Sequence, residues 1–141
     1  MTKINCADVS VLIIDDQKIS RELINQNLLS MGFALIDMAA SSAEAEVKMV
    51  AKKYDIIFVD WLMPGKSGFA LMQGCRETRD FDHVAFIMVT AKSGERDMAE
   101  ALKAGATSYI CKPTLPKEFQ PKVQVALEWM AKVNPRFKAT S

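Results

Sequence analysis

Asp55-Ile56-Ile57-Phe58-Val59-Asp60-Trp61-Leu62-Met63-Pro64-Gly65 is the stretch on which the fold of this chain turns. Ile56 to Val59 is an unbroken apolar run rich in β-branched residues, which reads as a strand. Its lack of polar alternation places that strand in a sheet covered on both faces. Asp60 ends the run, and Met63-Pro64-Gly65 turns the chain. An acid at the mouth of a doubly covered strand is the first candidate for chemistry.

The same texture recurs on either side. Val9 to Ile14 is a β-rich run that stops at Asp15-Asp16. Ala34 to Ala40 is a weaker strand, Val84 to Thr90 is nearly unbroken, and Ser108 to Cys111 is short and cut by Pro113. Between them the period becomes helical. Ile24, Leu28 and Met31 make one stripe, closed by Gly32. Ser41 and Glu44 fit a capping box ahead of a stripe of Ala43, Val47 and Val50. Phe69, Met72 and Cys75 mark a short helix, and Glu95 to Ala104 another, ended by Gly105. Leu115 to about Lys132 is the last, with Phe119, Val123, Ala126, Leu127 and Met130 on one face. Strict alternation of strand and helix predicts an α/β fold, a parallel sheet with right-handed crossovers and helices on both faces.

Composition narrows the function. The 141 residues suit one domain, with residues 1–8 a tail, 9–131 the domain, and 132–141 a tail or linker stub. Eighteen basic and 17 acidic residues leave a net charge of +1, which argues against nucleic-acid binding by bulk charge. Cys6, Cys75 and Cys111 are widely spaced and have only His83 as a histidine ligand, so neither a disulfide framework nor a zinc site is expected. No apolar stretch reaches membrane-spanning length and residues 1–8 carry no signal-peptide pattern, so a cytoplasmic location is expected. The nine methionines read as core packing, and His83 as a loop residue.

In open parallel sheets, ligands sit outside the carboxyl ends of the strands. Those ends carry Asp15-Asp16, Asp60, Thr90 and Lys112. In the strand order 2-1-3-4-5 the three acids converge, and a divalent cation such as Mg²⁺ relieves their repulsion. Lys112 supplies the opposite charge and Thr90 a hydroxyl, a set that can hold a phosphoryl group, with Asp60 as nucleophile. Asp15-Asp16 taken alone is equally a polar stop at a strand end; its coincidence with Asp60 and Lys112 favours a site.

Four motifs carry a resemblance: Ile13-Ile14-Asp15-Asp16, Phe58-Val59-Asp60-Trp61-Leu62-Met63-Pro64-Gly65, Val89-Thr90-Ala91 and Tyr109-Ile110-Cys111-Lys112-Pro113. Each is short, but all four stand in order at expected strand ends. From about Ser10 to Met130 the chain resembles the CheY-like receiver domain of two-component response regulators. The resemblance implies a flavodoxin-like (βα)5 fold with sheet order 2-1-3-4-5. It implies Asp60 as phosphoacceptor and Mg²⁺ held by Asp15, Asp16, Asp60 and the Leu62 backbone carbonyl. Lys112 and Thr90 would bind the phosphoryl group, Tyr109 would swing inward as Thr90 moves, and the Lys112-Pro113 bond would be cis.

It further implies a histidine kinase or phosphotransfer protein as donor. A target protein would read the surface of the fourth helix, fifth strand and fifth helix, with the chain monomeric or dimerising on phosphorylation. No direct binding of nucleic acid or membrane is expected, and the only catalysis expected is assistance to its own phosphotransfer and dephosphorylation. Leu62 and Lys92 occupy the two positions that tune phosphoryl lifetime. Leu62 offers no amide to orient water, and Lys92 could contact the phosphoryl group; the alternative is that both face solvent. Trp61 is either a partner-contact or shielding residue, or a partly exposed aromatic of little consequence.

Other readings are weaker. An aspartyl-phosphate phosphohydrolase needs an acid where Leu62 stands. A flavodoxin-like cofactor binder needs a phosphate loop where Asp15-Asp16-Gln17-Lys18 stands. A receiver module cut from a larger DNA-binding regulator or hybrid kinase shares every motif.

Overall fold

The computed structural model describes residues 4–138. Five strands, β1 (Ser10–Ile14), β2 (Leu35–Ala39), β3 (Ile56–Val59), β4 (Ala85–Thr90) and β5 (Ser108–Cys111), alternate with five helices. These are α1 (Lys18–Ser30), α2 (Ser42–Ala51), α3 (Gly68–Arg76), α4 (Glu95–Ala104) and α5 (Pro116–Val133). The strands form one parallel sheet in the order β2-β1-β3-β4-β5. Short 3-10 turns at Cys6–Asp8 and Arg79–Phe81 were not foreseen from periodicity. The Lys112-Pro113 bond is cis.

The fold is the expected flavodoxin-like one, and the period-2 geometry of its strands builds two cores. Val11 and Ile13 of β1 point to one face, where Ile24 and Leu28 of α1 meet Phe119, Val123, Ala126, Leu127 and Met130 of α5. Leu12 and Ile14 point to the other, where they join Ala45 of α2, Leu71 and Met72 of α3 and Ala101 of α4. Each fully buried aliphatic or aromatic side chain here contributes roughly 1.5–3 kcal/mol. No helix among the described residues is long and apolar enough to cross a membrane.

Two expectations need correction. Ala43, Val47 and Val50 do not face the core: Val47 is 71% and Val50 90% exposed, while Ser42 and Ala45 are the buried positions. The rotation is set by hydrogen bonds. Ser41 Oγ caps α2 by accepting from Glu44 N (3.1 Å), and Ser42 Oγ donates to the Lys66 carbonyl (2.8 Å). Because β2 lies at the sheet edge and is only partly buried, little apolar surface is there to pull the valines inward. Trp61 is not partly exposed but buried, stacked on Phe69 with ring centroids 4.6 Å apart.

The segment after α5 is fastened. Asp55, buried at the start of β3, accepts from Ser10 N (2.9 Å) and from Asn134 Nδ2 (3.1 Å), and its carboxylate pairs with the Arg136 guanidinium. Arg136 Nη2 also donates to the Asp8 carbonyl (2.9 Å), while Ile4, Cys6 and Phe137 pack against the core. Residues 4–8 and 134–138, expected as tails, are therefore attached to the domain. Asp55→Ala strips acceptors from a buried amide N–H and from Asn134 and is expected to cost about 2–3 kcal/mol. Arg136→Ala should cost under about 1 kcal/mol, since that side chain is half exposed. Urea unfolding of both variants checks the order; equal losses would contradict it.

Candidate functional site

The carboxyl edge of the sheet gathers the charged residues. Asp15 directly follows β1 and is fully buried. Its amide donates to the Ala39 carbonyl (3.1 Å), its Oδ1 accepts from Gln17 N (2.9 Å), and its carbonyl accepts from Arg21 Nη1 (2.6 Å). Asp60 follows β3, and its amide donates to the Ile14 carbonyl (3.0 Å), extending the ladder one residue. That register brings carboxylate oxygens of Asp15, Asp16 and Asp60 within 4.8 Å of one another, with Asp16 exposed.

Lys112 answers this charge. Its amide donates to the Thr90 carbonyl (2.8 Å), so it leaves β5 still in register. Its Nζ stands 2.8 Å from Asp60 Oδ2, as a hydrogen bond, and 2.9 Å from Asp15 Oδ2, as an ion pair without hydrogen-bond alignment. Burial pushes the Asp15 carboxyl up, against the pull of Lys112 and the Gln17 amide. Burial also opposes the charge on Lys112, but the hydrogen bond to Asp60 and the ion pair with Asp15 outweigh it and hold its ammonium above the usual lysine range. One cation thus serves two buried acids, and Asp60 Oδ1 is left buried without a hydrogen-bond partner. A buried orphan oxygen beside two further carboxylates fits a hard divalent ion that takes few protein ligands, such as Mg²⁺.

The loop after β3 is shaped by a residue not singled out in the sequence. Gly68 N donates to the Trp61 carbonyl (2.9 Å), and a Cβ at position 68 would stand 1.8 Å from the Asp60 carbonyl oxygen. Only glycine lets α3 begin so close to the acidic strand end. Ser67 Oγ accepts from Ala70 N (3.1 Å) and starts the helix, and Gly65 takes the positive φ of the turn (79°). The sequence signal was Ser67-Gly68 directly ahead of an apolar helical run. Leu62 within this loop is 62% exposed.

Beyond Lys112, the wall is made by Thr90, Lys92, Tyr109 and Trp61. Thr90 is buried, and its Oγ1 lies 3.4 Å from the Lys92 amide that donates to it. Lys92 is neither free in solvent nor aimed at the acids. Its Nζ lies 4.4 Å from the centroid of the Trp61 ring and 3.6 Å from Asp97 Oδ1. Tyr109 is already buried, with its hydroxyl donating to the Lys92 carbonyl (2.6 Å). His83 lies away from this edge, in a groove with Asn134 and Arg136.

Residues 11–124 match the family model described as the response regulator receiver domain. Among characterised relatives, the phosphate regulon transcriptional regulatory protein PhoB of Pseudomonas aeruginosa is 32% identical over 118 residues. That match covers 84% of this chain and 51% of PhoB, so the chain spans about half of that relative. Chemotaxis protein CheY1 of Helicobacter pylori is 31% identical, over 84% of this chain and 97% of its own. Among solved structures, the CheX–CheY–BeF3–Mg²⁺ complex of Borrelia burgdorferi matches at 30% identity and a TM-score of 0.75, covering 82% of this chain and 87% of that one.

Burial pushes the Tyr109 phenol up to about 12, helped by nearby Cys111, Asp97 and Asp60. Burial also raises Tyr54, together with its hydrogen bond to Asp37. These are the only tyrosines. Folding therefore favours both neutral phenols. The stabilisation from Tyr109 is complete below about pH 10, the ordinary phenol value, and is lost as pH rises through about 12. Absorbance at ~295 nm should show no phenolate step at the ordinary value while the chain is folded; a step there would contradict this environment.

Proposed function

The chain belongs to the response regulator receiver domain family, and from that premise we propose that it is a phosphorylation switch with Asp60 as its acceptor. The observation that carries the proposal is the Asp60 carboxylate, tied on one oxygen to Lys112 and unpartnered on the other beside Asp15 and Asp16. A carboxylate oxygen of Asp60 attacks phosphorus on the phosphohistidine of a kinase or phosphotransfer protein. The P–N bond to the donor imidazole breaks as the P–O bond to Asp60 forms, leaving an acyl phosphate.

Asp15, Asp16, Asp60 and the Leu62 carbonyl would hold Mg²⁺, which supplies charge neutralisation for the phosphoryl oxygens. Lys112 exchanges its contact with Asp60 for one with the incoming phosphoryl oxygens. Thr90 turns its hydroxyl toward them, and Tyr109 with the Lys92 carbonyl makes that movement felt in the loop before α4. The new charge biases two arrangements of the α4–β5–α5 surface, which a target protein reads. The chain is proposed to act in the cytoplasm, as a monomer or a phosphorylation-dependent dimer, without binding nucleic acid itself.

Acetyl phosphate with Mg²⁺ should label the protein, and Asp60→Asn should abolish labelling; retained labelling would sink the proposal. The bound phosphoryl group is expected to be long-lived, because Leu62 offers no amide to orient water and Lys92 is a cation beside the site. After donor removal, Leu62→Asn and Lys92→Glu should each speed decay several-fold. Decay equal to that of the unsubstituted chain would remove both residues from the account.

A further inference from the structure

Asn27 is a buried amide on an apolar helix face. Ile24 and Leu28 beside it are core residues, yet Asn27 is itself only 7% exposed. A buried amide without partners is costly, so its bonds identify what it is for. Asn27 Nδ2 donates within its own helix to the Leu23 carbonyl (3.1 Å) and across the domain to the Thr114 carbonyl (2.9 Å). Thr114 lies two residues beyond Lys112, in the turn that joins β5 to α5, and is buried. Its other backbone bonds run from Lys112 N to the Thr90 carbonyl (2.8 Å), from Leu115 N to the Pro113 carbonyl (3.0 Å), and to the Leu115 carbonyl from Glu118 N (3.0 Å) and Phe119 N (2.8 Å) of α5. The bond from Asn27 ties the backbone of this turn to α1, while the Lys112 side chain itself reaches Asp15 and Asp60.

The same helix is fixed at its start to the acid. Arg21 Nη1 donates to the Asp15 carbonyl (2.6 Å), and Asn27 follows six residues later, roughly 9 Å along the helix axis. α1 therefore grips the backbone of Asp15 at one point and the backbone beyond Lys112 at another. Between these grips stands the 2.9 Å contact from Lys112 Nζ to Asp15 Oδ2 and the 2.8 Å bond to Asp60 Oδ2. We propose that Asn27 is a positioning residue for the phosphotransfer site: through the Thr114 carbonyl it sets where the Lys112 ammonium stands between Asp15 and Asp60. Asn27 touches neither acid and is no catalytic residue. The proposal rests on the phosphoacceptor reading only for its consequence in phosphotransfer; the placement of Lys112 is a claim about the resting protein.

The test measures that placement directly. The whole protein is reductively methylated with limiting reagent, and the rate at each lysine is read by mass spectrometry. In the unsubstituted protein Lys112, shielded between two carboxylates, should react slowly. In Asn27→Leu, with folding checked by thermal melting, Lys112 should react several-fold faster while the exposed Lys18 and Lys122 keep their rates. Labelling by acetyl phosphate with Mg²⁺ should slow in the same variant. Should Asn27→Leu fail to fold, Asn27→Ala gives the same reading. An unchanged Lys112 rate in a folded variant overturns the inference, and so does a rise shared by Lys18 and Lys122, which signals general loosening. A chain that takes no phosphoryl group overturns the proposed function, and the methylation rates still decide the role of Asn27.

Discussion

Two buried carboxylates and one ammonium set the terms for this molecule. Asp15 and Asp60 are both buried, and among the described residues Lys112 is the one cation paired with both carboxylates. Like charges this close repel, and one cation cannot neutralise both. The sheet imposes the conflict: β1 and β3 are hydrogen-bonded neighbours, and the Asp60 amide is itself a rung on Ile14. The acids cannot separate without breaking the ladder. What remains is a standing demand for positive charge at one edge, and a divalent ion or a change in what Lys112 contacts can meet it. Stability is spent there, and the two apolar cores on either face supply it.

The sequence announced most of this because the relevant signals are local. An apolar run ending in an acid reads the same in isolation as in the sheet, so Asp15, Asp60, Thr90 and Lys112 were legible at their strand ends. The α5 face was equally plain, since Phe119 to Met130 follow the helical period strictly. What escaped depends on partners far along the chain. The valines of α2 have the right spacing for a core stripe, but the bond from Ser42 to the Lys66 carbonyl turned them outward. Gly68 matters only because the Asp60 carbonyl passes where its side chain would be. Asn27 did leave a trace, a polar residue inside the stripe of Ile24, Leu28 and Met31, yet nothing in the string says that its partner is Thr114.

Lys92 links the acid edge to α4 in a way that no single motif conveys. Its side chain spans Trp61, next to Asp60, and Asp97, in the first turn of α4. Its backbone carbonyl takes the Tyr109 hydroxyl, and the Cys111 thiol lies 3.9 Å away from the same oxygen. β5, the loop after β3 and α4 therefore meet at one residue of a loop. A displacement of Thr90, two residues earlier, cannot leave those contacts untouched, because the Lys92 amide is bonded to the Thr90 hydroxyl.

Arg136 joins Asp55 and Asp8, so both described ends of the chain are stitched to the amino-terminal edge of the sheet. The acid cluster lies at the other edge, about 17 Å away for strands of this length. The described ends lie side by side, and neither passes the acid cluster. A unit with that layout can be spliced into a surface turn of a host protein, or relinked end to end and opened elsewhere, without threading a connection across its working face. The arrangement makes the domain portable: its described chain ends and its acid cluster occupy opposite poles of one small sheet.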